Sequence, residues 1–182
     1  PELVVIRSEK RGINSARGVG VATARGDFVA FCDADDVVAP GWLQGLAEAA
    51  VDADLVGGDI DVEELNDGLQ LAWQGGAPPP RTGLNCGPYR FLPYLSGGNC
   101  GIWTEVARAL GFDDSFTYGA SDIEFSWRAQ LAGLRVAYEP RAVLRIRYRD
   151  GMFGLAKQWF RYGAAEPQLF RRFRDRGMPR RR

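Results

Sequence analysis

Histidine is absent from this 182-residue sequence. Its absence excludes a Ser-His or Cys-His nucleophile and any zinc site built on imidazole ligands. Cysteine is scarce: Cys32, Cys86 and Cys100 are far apart, odd in number and form no CxxC pair. We therefore expect reduced thiols in a cytosolic protein rather than a disulfide framework.

Long apolar runs are also missing. The longest ones have the length of a β-strand, so the sequence predicts no membrane-spanning segment, and no signal peptide is recognisable. The apolar fraction of 46% and the charged fraction of 25% are typical of a soluble globular chain. The length is sufficient for one domain with a sizeable core.

The balanced charge, 23 basic and 23 acidic residues, conceals an asymmetry. Residues 1–140 carry a net charge of −10, and residues 141–182 carry +10. A basic end of this kind favours an anionic partner, such as a membrane surface, a nucleic acid or a substrate diphosphate. A solvated, charged helix explains the same composition.

Strands alternate with helices along the chain, which predicts an α/β fold with a mostly parallel sheet flanked by helices. Residues 66–93, which include GGAPPP, predict a loop. The remainder divides into a catalytic-type domain over 1–148 and a basic, amphipathic helical tail over 149–182. The predicted strands are 3–6, 28–32, 55–61, 98–103, 135–139 and 143–148, and the predicted helices are 15–24, 41–50, 104–111, 121–132 and those of the tail.

Three carboxylates, Asp33, Asp35 and Asp36, follow directly after the apolar run 28–32. Ligands of open α/β sheets bind beyond the carboxyl ends of strands, and residues two apart in an extended chain face the same way. Repulsion between such carboxylates is relieved by a cation, and oxygen ligands suit Mg²⁺ or Mn²⁺. An Asp-rich turn is an equally good interpretation of the triplet alone, and an aspartyl phosphatase is another. An EF-hand loop is excluded, because Val38 occupies the position that requires glycine.

Two blocks of sequence resemble family 2 glycosyltransferases of the GT-A fold. The first is INSARGVGVATARGDFVAFCDADDVVAPGWL, which ends a strand with a DXD motif, although Gly18 stands where the family usually has Asn. The second is GGNCGIWTEVARALGFDDSFTYGASDIEFSWRAQLAGLRVAYEP, with a G-x-N turn and a segment like the family's "ED" helix start. The resemblance covers roughly residues 3–148.

The resemblance implies inverting, metal-dependent transfer of a hexosyl group from a nucleotide-diphosphate donor to an acceptor hydroxyl on a glycan, a lipid-linked sugar or a cell-envelope polysaccharide. It implies that Asp33 lies near the donor ribose and assists Asp35 in binding Mn²⁺ or Mg²⁺. Arg17 then contacts the nucleotide, and Asp122 is the general base.

Asp122 and its neighbours also have a purely structural interpretation. Ser121 and Glu124 have the spacing of a capping box, and an acidic first turn complements the helix dipole. The residue before Asp122 is Ser where the family has Glu, and Glu124 is the candidate to replace that carboxylate near the acceptor. Tyr118, in a glycine-containing loop, and Asn99, in the G-x-N turn, are further candidates for contact with acceptor sugar.

In the tail, Gln158-Trp159-Phe160-Arg161-Tyr162 resembles the Q-x-x-R-W motif of processive family members. By that resemblance Arg161 contacts the donor diphosphate. The alternative, which we favour, is an amphipathic helix with Leu155, Trp159 and Tyr162 on its apolar face. The basic residues of 171–182 predict peripheral contact with an anionic membrane, at the inner face for a cytoplasmic protein. No nucleic acid partner is expected.

Family members have a further β-α unit before the strand predicted at 3–6, and we expect this chain to lack it. Two functional hypotheses therefore remain open. One is the metal-dependent transferase, and the other is a non-catalytic remnant that binds nucleotide sugar or carbohydrate on the same fold.

Overall fold

The computed structural model describes residues 3–75, 83–117, 119–149 and 151–180. Two short 3₁₀ turns, Gly87–Tyr89 and Arg174–Arg176, accompany the main elements in these ranges. In chain order the main elements are α1 (Ile13–Thr23), β1 (Phe28–Cys32), β2 (Val37–Val38), α2 (Trp42–Ala49), β3 (Leu55–Asp61), α3 (Gly68–Trp73), β4 (Asn99–Trp103), α4 (Thr104–Leu110), α5 (Ser121–Leu131), β5 (Val136–Arg145) and α6 (Met152–Phe173).

The described strands form one mixed sheet in the order β1-β4-β3-β5-β2. β3 and β5 pair in parallel, and the other three neighbouring pairs are antiparallel. Consequently β1, β3 and β5 run in one direction, and β4 and β2 run in the other. The predicted α/β class, with helices flanking the sheet, is confirmed. The apolar run of β1 nevertheless pairs with an antiparallel strand and is half-buried, although the sheet was expected to be mostly parallel.

The predicted strand at 3–6 is wrong. This segment forms no strand, and Leu3 and Val5 are 88% and 86% exposed. Its backbone has no neighbouring strand among the described residues, and an isolated apolar run cannot satisfy its hydrogen bonds as a β-strand.

The two strands predicted between 135 and 148 are a single strand, β5. Gly58 pairs with Glu139, but the next residue, Asp59, pairs with Val143. Pro140 falls within this shift of register, which is where a sheet tolerates a residue without an N–H group.

The predicted loop over 66–93 contains one helix, α3. The Asp67 side chain accepts a hydrogen bond from the Gln70 N–H at 2.8 Å, and the Gln70 side chain accepts one from the Asp67 N–H. This reciprocal capping box stabilises a helix of only six residues. Residues 76–82 lie outside the described ranges.

Helix α6 packs against α5 through one stripe of side chains. Ala165, Leu169 and Phe173 recur every four residues and join a core cluster with Trp127, which is fully buried. Trp127 also donates its indole N–H to the Leu92 carbonyl at 2.7 Å. This packing holds the carboxyl-terminal half of α6 against α5.

The stripe predicted for α6 is not buried as expected. Tyr162, three residues before Ala165, continues the buried stripe, but Trp159 and Tyr162 are 58% and 48% exposed. The first half of the helix extends beyond the core cluster that covers its second half. No helix in the described ranges has both the length and the apolar composition needed to cross a bilayer.

Candidate active site

One cleft of about 430 Å³ contains four of the site residues that the sequence indicated. Arg17 reaches it from α1, Asp33 and Asp35 from the turn after β1, and Asp122 from the first turn of α5. These residues are up to 105 positions apart in sequence. The sheet brings them together because β1 and β4 are paired, and α5 packs over that pair.

The acidic turn after β1 is tightly folded. The Asp36 N–H donates to the Asp33 carbonyl at 3.3 Å, and the Asp36 carboxylate accepts the Arg147 N–H at 3.1 Å. Burial raises the pKa of Asp36. The Arg147 N–H lowers it, and the charges of Asp35 and Asp33 raise it again. The three carboxylates therefore repel one another in the folded chain.

Arg17 is a cation beside one of these carboxylates, Asp33. Its side chain is 12% exposed, and its Nη2 lies 4.0 Å from Asp33 Oδ1. The guanidinium carbon lies 6.0 Å from the centroid of the Phe31 ring. Packing against the aromatic ring places the guanidinium at the edge of the cleft.

Two adjacent glycines, Gly97 and Gly98, form the floor between these groups. A Cβ atom on Gly97 would lie 2.4 Å from Arg17 Nη2, and one on Gly98 would lie 2.7 Å from the Asp33 carboxylate carbon. Only glycine allows the backbone to approach both side chains so closely. Sequence reasoning treated this dipeptide as part of a turn and missed its role, although a Gly-Gly pair before a short strand was an available signal.

Asp122 is fixed on the same floor. Its Oδ2 accepts the Gly97 N–H at 3.2 Å, and its Oδ1 accepts the Ile123 N–H at 2.9 Å. Each oxygen retains a lone-pair site, so the carboxylate can still accept a proton from the cleft. The Gly97 backbone thus links the candidate base to the nucleotide side of the cleft.

The predicted capping box at the start of α5 is wrong. The N-cap is Ala120, in the left-handed region at φ 59°, and Ser121 is already helical. Glu124 does not reach back to the cap, because its carboxylate binds Arg128 at 2.9 Å and Arg172 at 3.0 Å. Pairing with two guanidiniums stabilises a buried carboxylate far more than one amide N–H would.

Glu124 consequently lies away from the cleft, with its side chain 1% exposed, and cannot contact an acceptor. Asn99 is also fully buried. Its amide accepts the Trp42 indole N–H at 2.7 Å and donates to the Asp59 carbonyl at 2.5 Å. Both predicted acceptor contacts are therefore withdrawn.

The structure gives a mixed result for the tail motif. Gln158 and Tyr162 line the cleft, and the Gln158 amide donates to the Tyr162 hydroxyl at 2.8 Å. Arg161, between them, is not among the lining residues. Tyr118 lies outside the described ranges, so its predicted acceptor contact stays a prediction.

The carboxylate oxygens of the acidic turn fit a hard divalent cation in one respect. Asp33 and Asp35 offer only carboxylate oxygens, and their turn has an excess of negative charge. Among the described residues no group of three or more His, Cys, Asp or Glu side chains converges in a metal-binding arrangement. One or two carboxylates suffice for Mg²⁺ or Mn²⁺ only when substrate phosphates and water complete the shell.

Comparison with known proteins agrees with this arrangement. The model of the family described as glycosyl transferase family 2 matches residues 1–111. The chain belongs to glycosyl transferase family 2. The pre-mycofactocin glycosyltransferase of Mycobacterium tuberculosis is 29% identical over 185 residues, which cover 92% of this chain and 37% of that protein. The succinoglycan biosynthesis protein ExoO of Rhizobium meliloti is 28% identical over 167 residues, which cover 81% of this chain and 45% of ExoO.

Solved structures show the same fold. GalNAc-T7, crystallised with UDP, GalNAc and Mn²⁺, matches 79% of this family 2 chain with a TM-score of 0.58 and 23% identity, over 32% of its own length. S. aureus TarS 1-349 in complex with UDP-GlcNAc matches 80% with a TM-score of 0.55 and 19% identity, over 41% of its length. The expected GT-A architecture is confirmed. The chain spans less than half the length of these relatives and structural neighbours.

Proposed function

We propose that this chain transfers a hexosyl group from a nucleotide-diphosphate donor to an acceptor hydroxyl, with inversion at the anomeric carbon. The observation that carries this proposal is the cleft itself. It places the Asp33–Asp35 pair, the Arg17 guanidinium and the Asp122 carboxylate around one space of about 430 Å³.

The proposed reaction is a single displacement. The acceptor oxygen attacks the anomeric carbon, and the bond from that carbon to the diphosphate oxygen breaks with its electron pair leaving on the diphosphate. Asp122 Oδ2 or Oδ1 takes the hydroxyl proton. One base suffices, which suits a sequence with no histidine. The Gly97 N–H holds that carboxylate in place before substrate arrives.

Asp33 and Asp35 are the residues that would hold Mn²⁺ or Mg²⁺, with Asp33 also beside the donor ribose. A cation bound there would neutralise charge on the departing diphosphate. Arg17 would orient the nucleotide through charge-assisted hydrogen bonds. UDP-GlcNAc and UDP-GalNAc are the first donors to test, because structural neighbours were crystallised with UDP-GlcNAc or with UDP and GalNAc.

The acceptor side of the proposal rests on aromatic and polar side chains at the mouth of the cleft. Tyr162 is about half exposed there, and its hydroxyl accepts a hydrogen bond from the Gln158 amide. An exposed ring beside the base suits stacking on a sugar of a glycan, polysaccharide or lipid-linked acceptor. Tyr118 remains a second candidate for the same role.

A lipid-linked acceptor would place the protein at the inner membrane face, and residues 171–182 are the proposed contact. Arg172 is paired with Glu124 and Asp113, and Arg174 is paired with Asp175, so the other arginines of this segment would contact anionic lipid. Phe153 and Phe160 of α6 are 94% and 78% exposed and would enter the headgroup region. Flotation with vesicles of anionic and of neutral lipid tests this contact. The contact is refuted if the chain floats with neither kind of vesicle.

The transferase proposal is tested by separating donor binding from chemistry. The wild type should show metal-dependent binding of a UDP-sugar and should release UDP when an acceptor is added. Asp35→Asn should lose the metal dependence of binding. Asp122→Asn should bind donor like the wild type but release little UDP.

Asp52→Asn is the matched control, because Asp52 is an exposed aspartate outside the cleft. Its binding and turnover should equal those of the wild type. Metal-dependent donor binding without any turnover, across a panel of acceptors, would favour the non-catalytic binding module. A folded chain that binds no nucleotide sugar would remove both hypotheses.

A further inference from the structure

A second basic element, absent from the sequence-based site, lines the cleft. Arg147 and Arg149 follow the end of β5 and lie on the wall that carries the acidic turn. Together with Arg17 they provide three guanidiniums in a cleft whose lining contains four aspartates. Arg161, for which the resemblance to the Q-x-x-R-W motif implied contact with the donor diphosphate, does not line this space.

The backbone that carries these arginines is held on both sides. The Ile146 N–H donates to the Asp61 carbonyl at 2.8 Å, and the Tyr148 N–H donates to the Asn66 side chain at 2.7 Å. Asn66 also donates to the Ile146 carbonyl at 2.7 Å. With the Arg147 N–H bound to Asp36, three successive N–H groups have fixed partners. Such a segment is preorganised for binding.

The side chains, in contrast, form no close ion pair with the described residues, although the charge of Arg147 acts on Asp36. Arg147 and Arg149 are exposed, and within the described ranges neither guanidinium forms an ion pair. Other arginines of β5 behave differently, since Arg141 pairs with Glu139 and Arg145 pairs with Glu64. Two unpaired guanidiniums on a rigid wall of a cleft are available for an anionic ligand.

We propose that Arg147 and Arg149 form the diphosphate-binding wall of the donor site and hold that group in part without a divalent cation. The inference rests on the proposed transferase function. A guanidinium matches two phosphate oxygens with parallel N–H donors, which a point charge cannot do. One or two carboxylates bind a divalent cation only with substrate phosphates and water, and the arginines would add positive charge beside it.

The experiment measures the binding of inorganic diphosphate and of UDP by calorimetry, each with Mn²⁺ and with EDTA. The variants are Arg147→Gln, Arg149→Gln and the double variant. Arg135→Gln is the control, because Arg135 is an exposed arginine outside the cleft. The Arg147 backbone makes the structural hydrogen bond, so removing its side chain leaves the anchor intact. Melting curves of all variants check this.

The wild type should bind both ligands in EDTA, and each single variant should bind them roughly 10- to 100-fold more weakly. The double variant should bind only when Mn²⁺ is present. The inference is overturned if the wild type binds nothing in EDTA, or if the arginine variants match the control.

The outcomes also separate this inference from the proposed function. Binding of diphosphate through the arginines without selective binding of any nucleotide sugar would support the wall and reject the transferase. Metal-dependent binding of a UDP-sugar that is unchanged in both arginine variants would support the transferase and reject the wall.

Discussion

Gly97→Ala is the substitution that most directly tests how the cleft is built. Gly97 does not have a positive φ, so alanine fits its backbone without strain. The added Cβ would lie 2.4 Å from Arg17 Nη2, where ordinary contact begins at 3.4 Å. The guanidinium must therefore move by about 1 Å, and it can do so because it is the far end of a flexible side chain.

This displacement should weaken the binding of UDP and leave the stability of the fold nearly unchanged. A hydrogen bond to a charged group contributes roughly 1.5–3 kcal/mol, which corresponds to about 10- to 100-fold in affinity. We expect UDP to bind Gly97→Ala more weakly by about that factor. The free energy of unfolding should change by less than about 1 kcal/mol, because the core packing is untouched.

A double-mutant cycle identifies the cause. The affinity for UDP is measured for the wild type, Gly97→Ala, Arg17→Ala and the double variant. If alanine acts by moving the guanidinium, Gly97→Ala should have almost no further effect once Arg17 has been removed. Gly163→Ala is the control, because a Cβ there meets nothing within 4 Å and the position is helical and exposed.

The control should bind UDP normally and gain about 0.5–1 kcal/mol of stability from the helix propensity of alanine. The reasoning is refuted if Gly97→Ala weakens UDP binding equally in the presence and absence of Arg17. A large loss of stability would also refute it, since that would mean that the backbone moved instead of the side chain.

Two further predictions concern titrating groups. Native protein at pH 8 should be alkylated first at the exposed Cys86. Cys32 should react more slowly, because burial and the neighbouring aspartates raise its pKa, and Cys100 should not react, because burial raises its pKa to about 12. Alkylation of all three thiols before unfolding would contradict this prediction. The hydrogen bond from the Arg141 side chain lowers the pKa of Glu139, so its stabilisation is fully present above the unfolded pKa of about 4.3 and disappears as the pH falls through the folded value. Arg141→Gln should therefore be less stable than the wild type at pH 6, and urea titrations should show the difference shrinking below about pH 4.

Prediction of structural elements from the sequence was most accurate where the local pattern and the long-range structure agree. The run of β1 and the acidic turn after it were located correctly, because a short apolar run that ends in aspartates has few other structural solutions. The segment 3–6 has an equally apolar pattern but forms no strand. A strand depends on its neighbours for hydrogen bonds, and a pattern of four residues contains no information about those neighbours.

The residues around the proposed base show the same limit at the level of single side chains. Ser121 and Glu124 have the spacing of a capping box, and no local rule argues against it. The interaction that replaces the capping box comes from Arg172, 48 residues further along the chain. Arg172 binds the Glu124 carboxylate at 3.0 Å because α6 packs on α5. Ala120 occupies the cap position and has no side-chain acceptor, so Asp122 Oδ1 accepts the Ile123 N–H of the first turn.

The second hydrogen bond of Asp122 supports its functional interpretation. A role at the helix start alone would require the carboxylate to accept only the Ile123 N–H. In the structure it accepts two N–H groups, from Gly97 and Ile123, and keeps lone pairs available on a surface that it shares with Arg17. A buried ion pair formed by its neighbour Glu124 thus leaves Asp122 as the carboxylate of this helix turn that faces the cleft.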